Sequence, residues 1–309
     1  MITKTDVETA AGRIAGRVRT TPVLTVEPAA FGLPCPVTLK LELFQHTASF
    51  KPRGAFNRML AAGVPGSGVI AASGGNHGLG VAYAARELGV PAEIFVPEST
   101  PPVKVARLHA LGAQVTVTGA YYAEAYQASR RRAAETGALV IHAYDQPEVA
   151  AGQGTLGREL LQQMPDVETV VVAVGGGGLL AGVATAVAGR ARVVAVEPEA
   201  IPTLHHALAA GGPVDVPVGG VAADSLGARR IGDIAYRVAV GTGVRSVLVP
   251  DEAIRRARRL LWDQCRVAAE PGGSCALAAL LCGAYVPGPD ERVAVVVCGG
   301  NADPADLTR

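Results

Sequence analysis

Lysine is an awkward residue at the start of a helix, because the aligned amide dipoles there favour negative charge. Lys51 stands in such a place, within His46-Thr-Ala-Ser49-Phe50-Lys51-Pro52-Arg53-Gly54-Ala55. Pro52 marks the helix start, where its missing N–H costs nothing. A lysine with a destabilised ammonium can form Schiff bases, whereas an ordinary surface lysine snorkels into water. Three further junctions follow short β-branched runs. Ser73-Gly74-Gly75-Asn76-His77-Gly78 offers backbone N–H groups and a hydroxyl to a small anion such as a carboxylate. Its plain reading is a Gly-rich turn with an Asn cap, and His77 is either catalytic or a hydrogen-bonded structural group. Gly175-Gly176-Gly177-Gly178-Leu179 lets the backbone wrap a phosphate at a helix N-terminus. Cys298-Gly299-Gly300-Asn301 presents a neutral thiol, a weak hydrogen-bonding partner or a small buried hydrophobe.

A rival chemistry competes for the third junction. Gly176, Gly178 and Ala181 fit G-x-G-x-x-A, and Glu197 follows the next strand. That is a dinucleotide fingerprint and points to an NAD(P)-dependent oxidoreductase. It leaves Lys51 and the Ser73–Gly78 loop unexplained.

The elements that must position these residues alternate along the chain. Strands are expected at Val37–Leu41, Val69–Ala72, Ala92–Val96, Gln114–Val117, Leu139–His142, Thr169–Val174, Arg192–Val196 and Arg292–Val297. Helices are expected near Pro52–Ala62, Asn76–Leu88, Val103–Leu111, Tyr121–Glu135, Val149–Gln163, Leu179–Ala188, Asp251–Val267 and Ser274–Gly283. Such alternation means parallel sheets covered by helices, with ligands at the carboxyl ends of strands. Thr5-Asp6-Val7-Glu8 reads as a capping box opening an N-terminal helix. The stretch Ala210–Arg245 is Gly- and Pro-rich and is expected to cover or link elements.

Composition narrows the class. The 309 residues are 49% hydrophobic and 18% charged, too apolar for intrinsic disorder. Lys plus Arg is 28 against 27 acids, so no electrostatic footprint invites nucleic acid or an anionic membrane. Five cysteines without C-x-x-C argue against a disulfide framework or a zinc knuckle. Short apolar runs and an N-terminus without a basic-then-apolar signal make the cytoplasm the expected location.

At its junctions the sequence resembles the fold-type II pyridoxal 5′-phosphate enzymes, in particular the serine/threonine dehydratase and serine racemase group. The resemblance rests on Ser49–Ala55, Ser73–Gly78, Ala151-Gly152-Gln153-Gly154-Thr155, Gly175–Gly178, Glu270-Pro271 and Cys298–Asn301, in the family's order and over nearly the whole chain. It implies a tryptophan synthase β-like fold of two open parallel-sheet α/β domains. Residues 1–67 and 146–309 would form the large cofactor domain and 68–145 a small domain that closes over substrate. It implies that Lys51, beside Phe50, carries pyridoxal phosphate as a Schiff base and serves as general base. The phosphate would rest on Gly175, Gly176, Gly177, Gly178 and Leu179. Asn76 would meet the cofactor's 3′-hydroxyl, and Cys298 its pyridine nitrogen. Ser73, Gly74, Asn76 and the loop amides near His77 would take the substrate carboxylate.

The activity so implied is the conversion of L-threonine or L-serine to 2-oxobutanoate or pyruvate and ammonia, by a homodimer. A serine racemase or a β-hydroxyaspartate ammonia-lyase is the alternative on the same fold. Gly74 stands where racemases carry a second serine, the acid on the face opposite the lysine. Thr203 stands where metal-dependent members have a carboxylate, so no metal is expected. Ala223-Asp224-Ser225 replaces A-D-G and brings a side chain to the rim. No room is expected after Asn301 for the C-terminal allosteric domain of biosynthetic threonine deaminases.

Overall fold

Val170, Val171 and Val172 in succession can all be buried only in a strand covered on both faces. In the computed structural model, which describes residues 1–306, that run lies inside the larger of two sheets. The strands are β1 (Val23–Val26), β2 (Val37–Lys40), β3 (Val69–Ala72), β4 (Ala92–Val96), β5 (Gln114–Val117), β6 (Leu139–Val140), β7 (Thr169–Ala173), β8 (Arg192–Pro198), β9 (Arg245–Val249) and β10 (Val293–Val296). The helices are α1 (Lys4–Arg13), α2 (Pro28–Phe31), α3 (Lys51–Ala62), α4 (Asn76–Glu87), α5 (Pro102–Ala110), α6 (Tyr122–Thr136), α7 (Pro147–Gln163), α8 (Gly178–Val187), α9 (Thr203–Ala210), α10 (Ala223–Leu226), α11 (Asp233–Thr242), α12 (Asp251–Cys265) and α13 (Pro271–Leu281).

The large sheet has the order β1-β2-β10-β7-β8-β9, and the small one β5-β4-β3-β6. All pairings are parallel except β1 with β2, so the large sheet is mixed rather than wholly parallel. The antiparallel edge is possible because only a short link separates β1 from β2, whereas a parallel pair needs a long crossover. Strand β10, the last in the chain, enters between β2 and β7. The carboxyl ends of these neighbouring strands therefore release three of the chemically suggestive segments side by side, and β3 releases the fourth.

Several expectations shift in detail. The N-terminal capping box is built by Thr3 and Asp6, with Thr3 as the N-cap, not by Thr5. Strand β6 ends two residues early because the His142 amide turns away to the Gln146 side chain at 2.9 Å. The stretch expected to be irregular contains α10 and α11, and the latter buries Ile234, Ala235, Val238 and Ala239 on one face. Edge strands β1 and β9 were not expected, since each is a short run without full burial.

Beneath α3 lies a buried ionic cluster. The Arg53 guanidinium donates to both Glu42 carboxylate oxygens at 2.5 and 3.0 Å and to Glu159 at 3.0 Å. Lys40 completes it, donating to Glu159 at 2.5 Å and to the Thr21 carbonyl at 2.7 Å. Two cations face two carboxylates, so charge is balanced where water is excluded. The cluster ties the first turn of α3, and with it Lys51, to α7 and to β2.

Candidate active site

Lys51 opens α3, with Pro52 beside it in the first turn. Its Nζ donates to the carbonyl of Ala143 at 2.8 Å and lies 5.0 Å from the Phe50 ring centroid. Burial pulls its pKa down to about 8, and the negative potential of Glu270 opposes that only partly. Desolvation rather than the helix dipole is thus what frees the amine. The stem of Lys51 is held from the other side by α4. A Cβ on Gly80 would stand 2.8 Å from the Lys51 Cβ, so only glycine allows that helix so close.

The segment before Lys51 runs along the one after β10. The amide of Leu43 donates to Val297, that of Gly300 to Ala48, and that of Phe50 to Cys298. Thr47 and Ala48 both adopt left-handed φ, at 58° and 56°, which costs strain that the surrounding contacts must hold. Cys298 is buried, its thiol directed to the Gly272 carbonyl at 3.6 Å, and burial pushes its pKa up to about 12. It is a neutral thiol, as its type suggested.

The tetraglycine loop joins β7 to α8. Gly177 has φ 89°, and Cβ atoms on these glycines would strike protein: Leu226 backbone at Gly175, the Tyr144 ring at Gly176, and Ala235 at Gly177. Among the described residues, the amides of Gly175 to Leu179 have no backbone acceptor. These amides at the start of α8, with Leu179 buried in its first turn, form a donor set suited to phosphate. One peptide unit links this loop to the lysine: Ala143 accepts from Lys51, while Tyr144 packs on Gly176 and Gly178.

At the Ser73 loop, the Ser73 hydroxyl accepts from the Gly75 amide at 3.2 Å. Asn76 donates to Glu270 at 2.6 Å and accepts from Asn301 at 2.7 Å, so its amide orientation is fixed. The His77 ring is a structural group. It is buried against the Ile141 carbonyl at 2.9 Å, and burial lowers its pKa to about 3, so the neutral ring donates that bond. A narrow cleft open to solvent joins Gly74, Gly75 and Asn76 to Lys104, Arg107, Asp224, Ser225, Glu270 and Asn301. Ser225 does reach the rim, where its hydroxyl accepts from the Gly272 amide at 3.0 Å.

Sequence reasoning missed Tyr144, Lys104 and Arg107. The last two sit on α5, and only the tertiary arrangement turns them toward the cleft. The dinucleotide reading fails at Glu197. Its carboxylate is fully buried, caps α9 through the amides of Leu204 and His205 at 2.7 and 2.8 Å, and holds the Thr203 hydroxyl at 2.8 Å. No ribose can reach it. The Thr203 hydroxyl also lies 2.8 Å from the Gly175 carbonyl, its one proton shared between that oxygen and Glu197, so it braces the glycine loop.

A desolvated amine, an amide cradle for phosphate and a neutral thiol together fit pyridoxal phosphate. The family model described as "Pyridoxal-phosphate dependent enzyme" matches residues 14–299. An L-threonine ammonia-lyase of Geobacter sulfurreducens is 39% identical over 308 residues, covering 98% of this chain and 76% of that one. The crystal structure of a T.th. threonine deaminase superposes with a TM-score of 0.90 at 38% identity, covering 97% of this chain and 99% of the other. Maize serine racemase superposes with a TM-score of 0.92 at 32% identity, covering 99% and 96%. Fold, site and match over most of its length agree that this chain belongs to the pyridoxal-phosphate-dependent enzymes.

Proposed function

We propose that the protein is an ammonia-lyase that converts L-threonine or L-serine to 2-oxobutanoate or pyruvate and ammonia. The observation that carries this reading is Lys51, a desolvated amine held at 2.8 Å by the Ala143 carbonyl beside the glycine loop. The similarity to L-threonine ammonia-lyase supports the substrate class.

Pyridoxal phosphate, when bound, supplies an electron sink for the pair left by the Cα proton, so that the 3-hydroxyl can leave. Lys51 would hold the cofactor through Nζ and, once released, take that proton as general base. The amides of Gly175 to Leu179 would carry the phosphate. Cys298 would offer the pyridine nitrogen a neutral partner, which leaves the ring less electron-withdrawing and favours prompt elimination. Ser73, Gly74, Asn76 and the first amides of α4 would hold the substrate carboxylate, with His77 bracing that turn from behind. Residues 68–145 would move as a small domain and shut water out. A homodimer in the cytoplasm completes the reading.

Absorption of the purified protein should show a bound Schiff base, and addition of L-threonine should release 2-oxobutanoate. Borohydride reduction should leave a pyridoxyl group on Lys51. A label on Lys40 or Lys104, or a cofactor-loaded protein that leaves L-threonine and L-serine intact, would overturn the proposal.

A further inference from the structure

The N-cap residue of α13, Glu270, does not cap its own helix. An N-cap side chain ordinarily accepts from the amide two or three residues on. The Glu270 carboxylate instead takes the Asn76 side-chain amide at 2.6 Å. The first-turn amide it leaves behind, that of Gly272, donates to the Ser225 hydroxyl at 3.0 Å. Ser225 belongs to α10, 47 residues earlier in the chain, so the cap is supplied from outside the helix. A Cβ at Gly272 would stand 2.6 Å from that hydroxyl oxygen, so the close approach requires glycine.

The turn capped in this way carries two groups of the site. On one side Glu270 orients Asn76. On the other the Gly272 carbonyl accepts from the Cys298 thiol at 3.6 Å, and burial, which pushes the pKa of that thiol up to about 12, keeps it protonated. A thiol has one proton, and with that proton on Gly272 the sulfur has only lone pairs for a second partner. Ser225 is itself held in place. Its hydroxyl donates to the Ala222 carbonyl at 3.4 Å, and its neighbour Asp224 pairs with Lys104 of α5 at 2.5 Å. The backbone of Leu226, on its other side, lies against Gly175 of the glycine loop.

We infer that Ser225 is a positioning residue: by capping α13 in place of Glu270, it leaves Glu270 to hold Asn76 and fixes the carbonyl that sets the direction of the Cys298 proton. The inference rests on the reading above, in which Asn76 and Cys298 meet the ring of the cofactor. Without the Ser225 hydroxyl, the Gly272 amide competes with Asn76 for Glu270, the acceptor that its own N-cap would normally provide. The Gly272 carbonyl loosens with its residue, and the thiol proton becomes free to turn elsewhere.

The test begins with the apo-protein, so that it needs no turnover. Subtracting the infrared spectrum of the matching Cys298→Ala protein isolates the S–H stretch of Cys298 from those of the other free thiols. Ser225→Ala should move this band toward the frequency of an unbonded thiol. Ser225→Thr, which restores the hydroxyl, should leave it in place. The band of Cys35, buried ahead of β2, should stay put in both variants. Titration with pyridoxal phosphate should show about two- to fivefold weaker binding in Ser225→Ala, the size of one neutral hydrogen bond, with recovery in Ser225→Thr. An unmoved Cys298 band in Ser225→Ala, a Cys35 band that shifts with it, or an equal loss of affinity in both variants overturns the inference and leaves the ammonia-lyase reading standing. A cofactor-loaded wild type that forms no 2-oxo acid from L-threonine or L-serine overturns that reading instead, while the Cys298 band still decides the role of Ser225.

Discussion

The Nζ of Lys51 donates to the main-chain carbonyl of Ala143 at 2.8 Å and, among the described residues, has no carboxylate partner of its own. A backbone oxygen orients the amine without fixing its charge, which leaves burial free to lower the pKa to about 8. The same peptide unit continues into Tyr144, whose ring closes over Gly176. Movement of this one unit would displace both the amine and the loop.

The pH consequence of the buried lysine has a definite sign. Below about pH 8 the ammonium is charged in both folded and unfolded chains, and the full burial cost is present. The cost fades as pH rises from about 8 toward the solvated lysine value of about 10.4, so apo-protein stability should climb over that window. Lys51→Met should flatten the climb and stabilise the apo-protein near neutral pH by about 1–3 kcal/mol, while turnover falls to background. Urea melts at neutral pH and at about pH 9.5, with an assay beside them, check both arms.

Arg53→Met is expected to destabilise the fold by about 3–5 kcal/mol, since it strands buried carboxylates at Glu42 and Glu159. Glu159 is held below the ordinary carboxylate range by Arg53 and Lys40, against the opposing effect of burial. Its contribution is therefore present above about pH 4.5 and lost as pH falls through its folded pKa. Thermal melts from neutral pH down to about pH 2.5 should show the wild type losing stability more steeply than the variant.

Side chains on the glycine loop should cost more than cofactor affinity. Gly177→Val combines a left-handed φ of 89° with a Cβ position 2.4 Å from that of Ala235, so both Tm and pyridoxal phosphate affinity should fall. Gly176→Ala puts its Cβ against the Tyr144 ring but carries no left-handed φ, and should spare more of the fold. Calorimetry and cofactor titration separate the two; full occupancy and an unchanged Tm in Gly177→Val would contradict this account.

The family resemblance puts Gly74 on the face opposite Lys51, where it would leave no side chain to donate a proton, so the wild type should give 2-oxo acid with little D-amino acid. Gly74→Ser alone is constrained, because its Cβ would stand 2.8 Å from the Thr100 methyl. The pair Gly74→Ser with Thr100→Ala removes that clash and should raise the inversion-to-elimination ratio above that of either single variant. Chiral chromatography of the L-serine reaction reads the ratio directly.

Much of the site was legible locally. A helix-start lysine, a nest after β3, four glycines between a buried strand and a helix, and a thiol after β10 are each defined by a few consecutive residues. The buried valine runs announced the inner strands for the same reason: a strand covered on both faces leaves no place for polar alternation. The short strands β1 and β9 sit at sheet edges, where one side needs no partner and the pattern weakens. Helix α11 lay hidden among glycines, though Ile234, Ala235, Val238 and Ala239 repeat at helical spacing.

What the sequence by itself determined is the set of chemical parts, because backbone conformation, capping and strand burial depend on neighbours along the chain. Only the tertiary structure decided which parts meet and what state they are in. Sheet order brought the segment after β10 against the one that leads to Lys51, over about 250 residues of chain, as the antiparallel bridge Ser49 to Gly299 records. Burial, a property of the whole fold, set the Lys51 pKa at about 8 and that of Cys298 at about 12, and turned Glu197 from a ribose ligand into a helix cap. It also brought Arg107 of α5 to Asn301 across the cleft, a pairing that no spacing in the sequence foretells, because it depends on how two sheets pack.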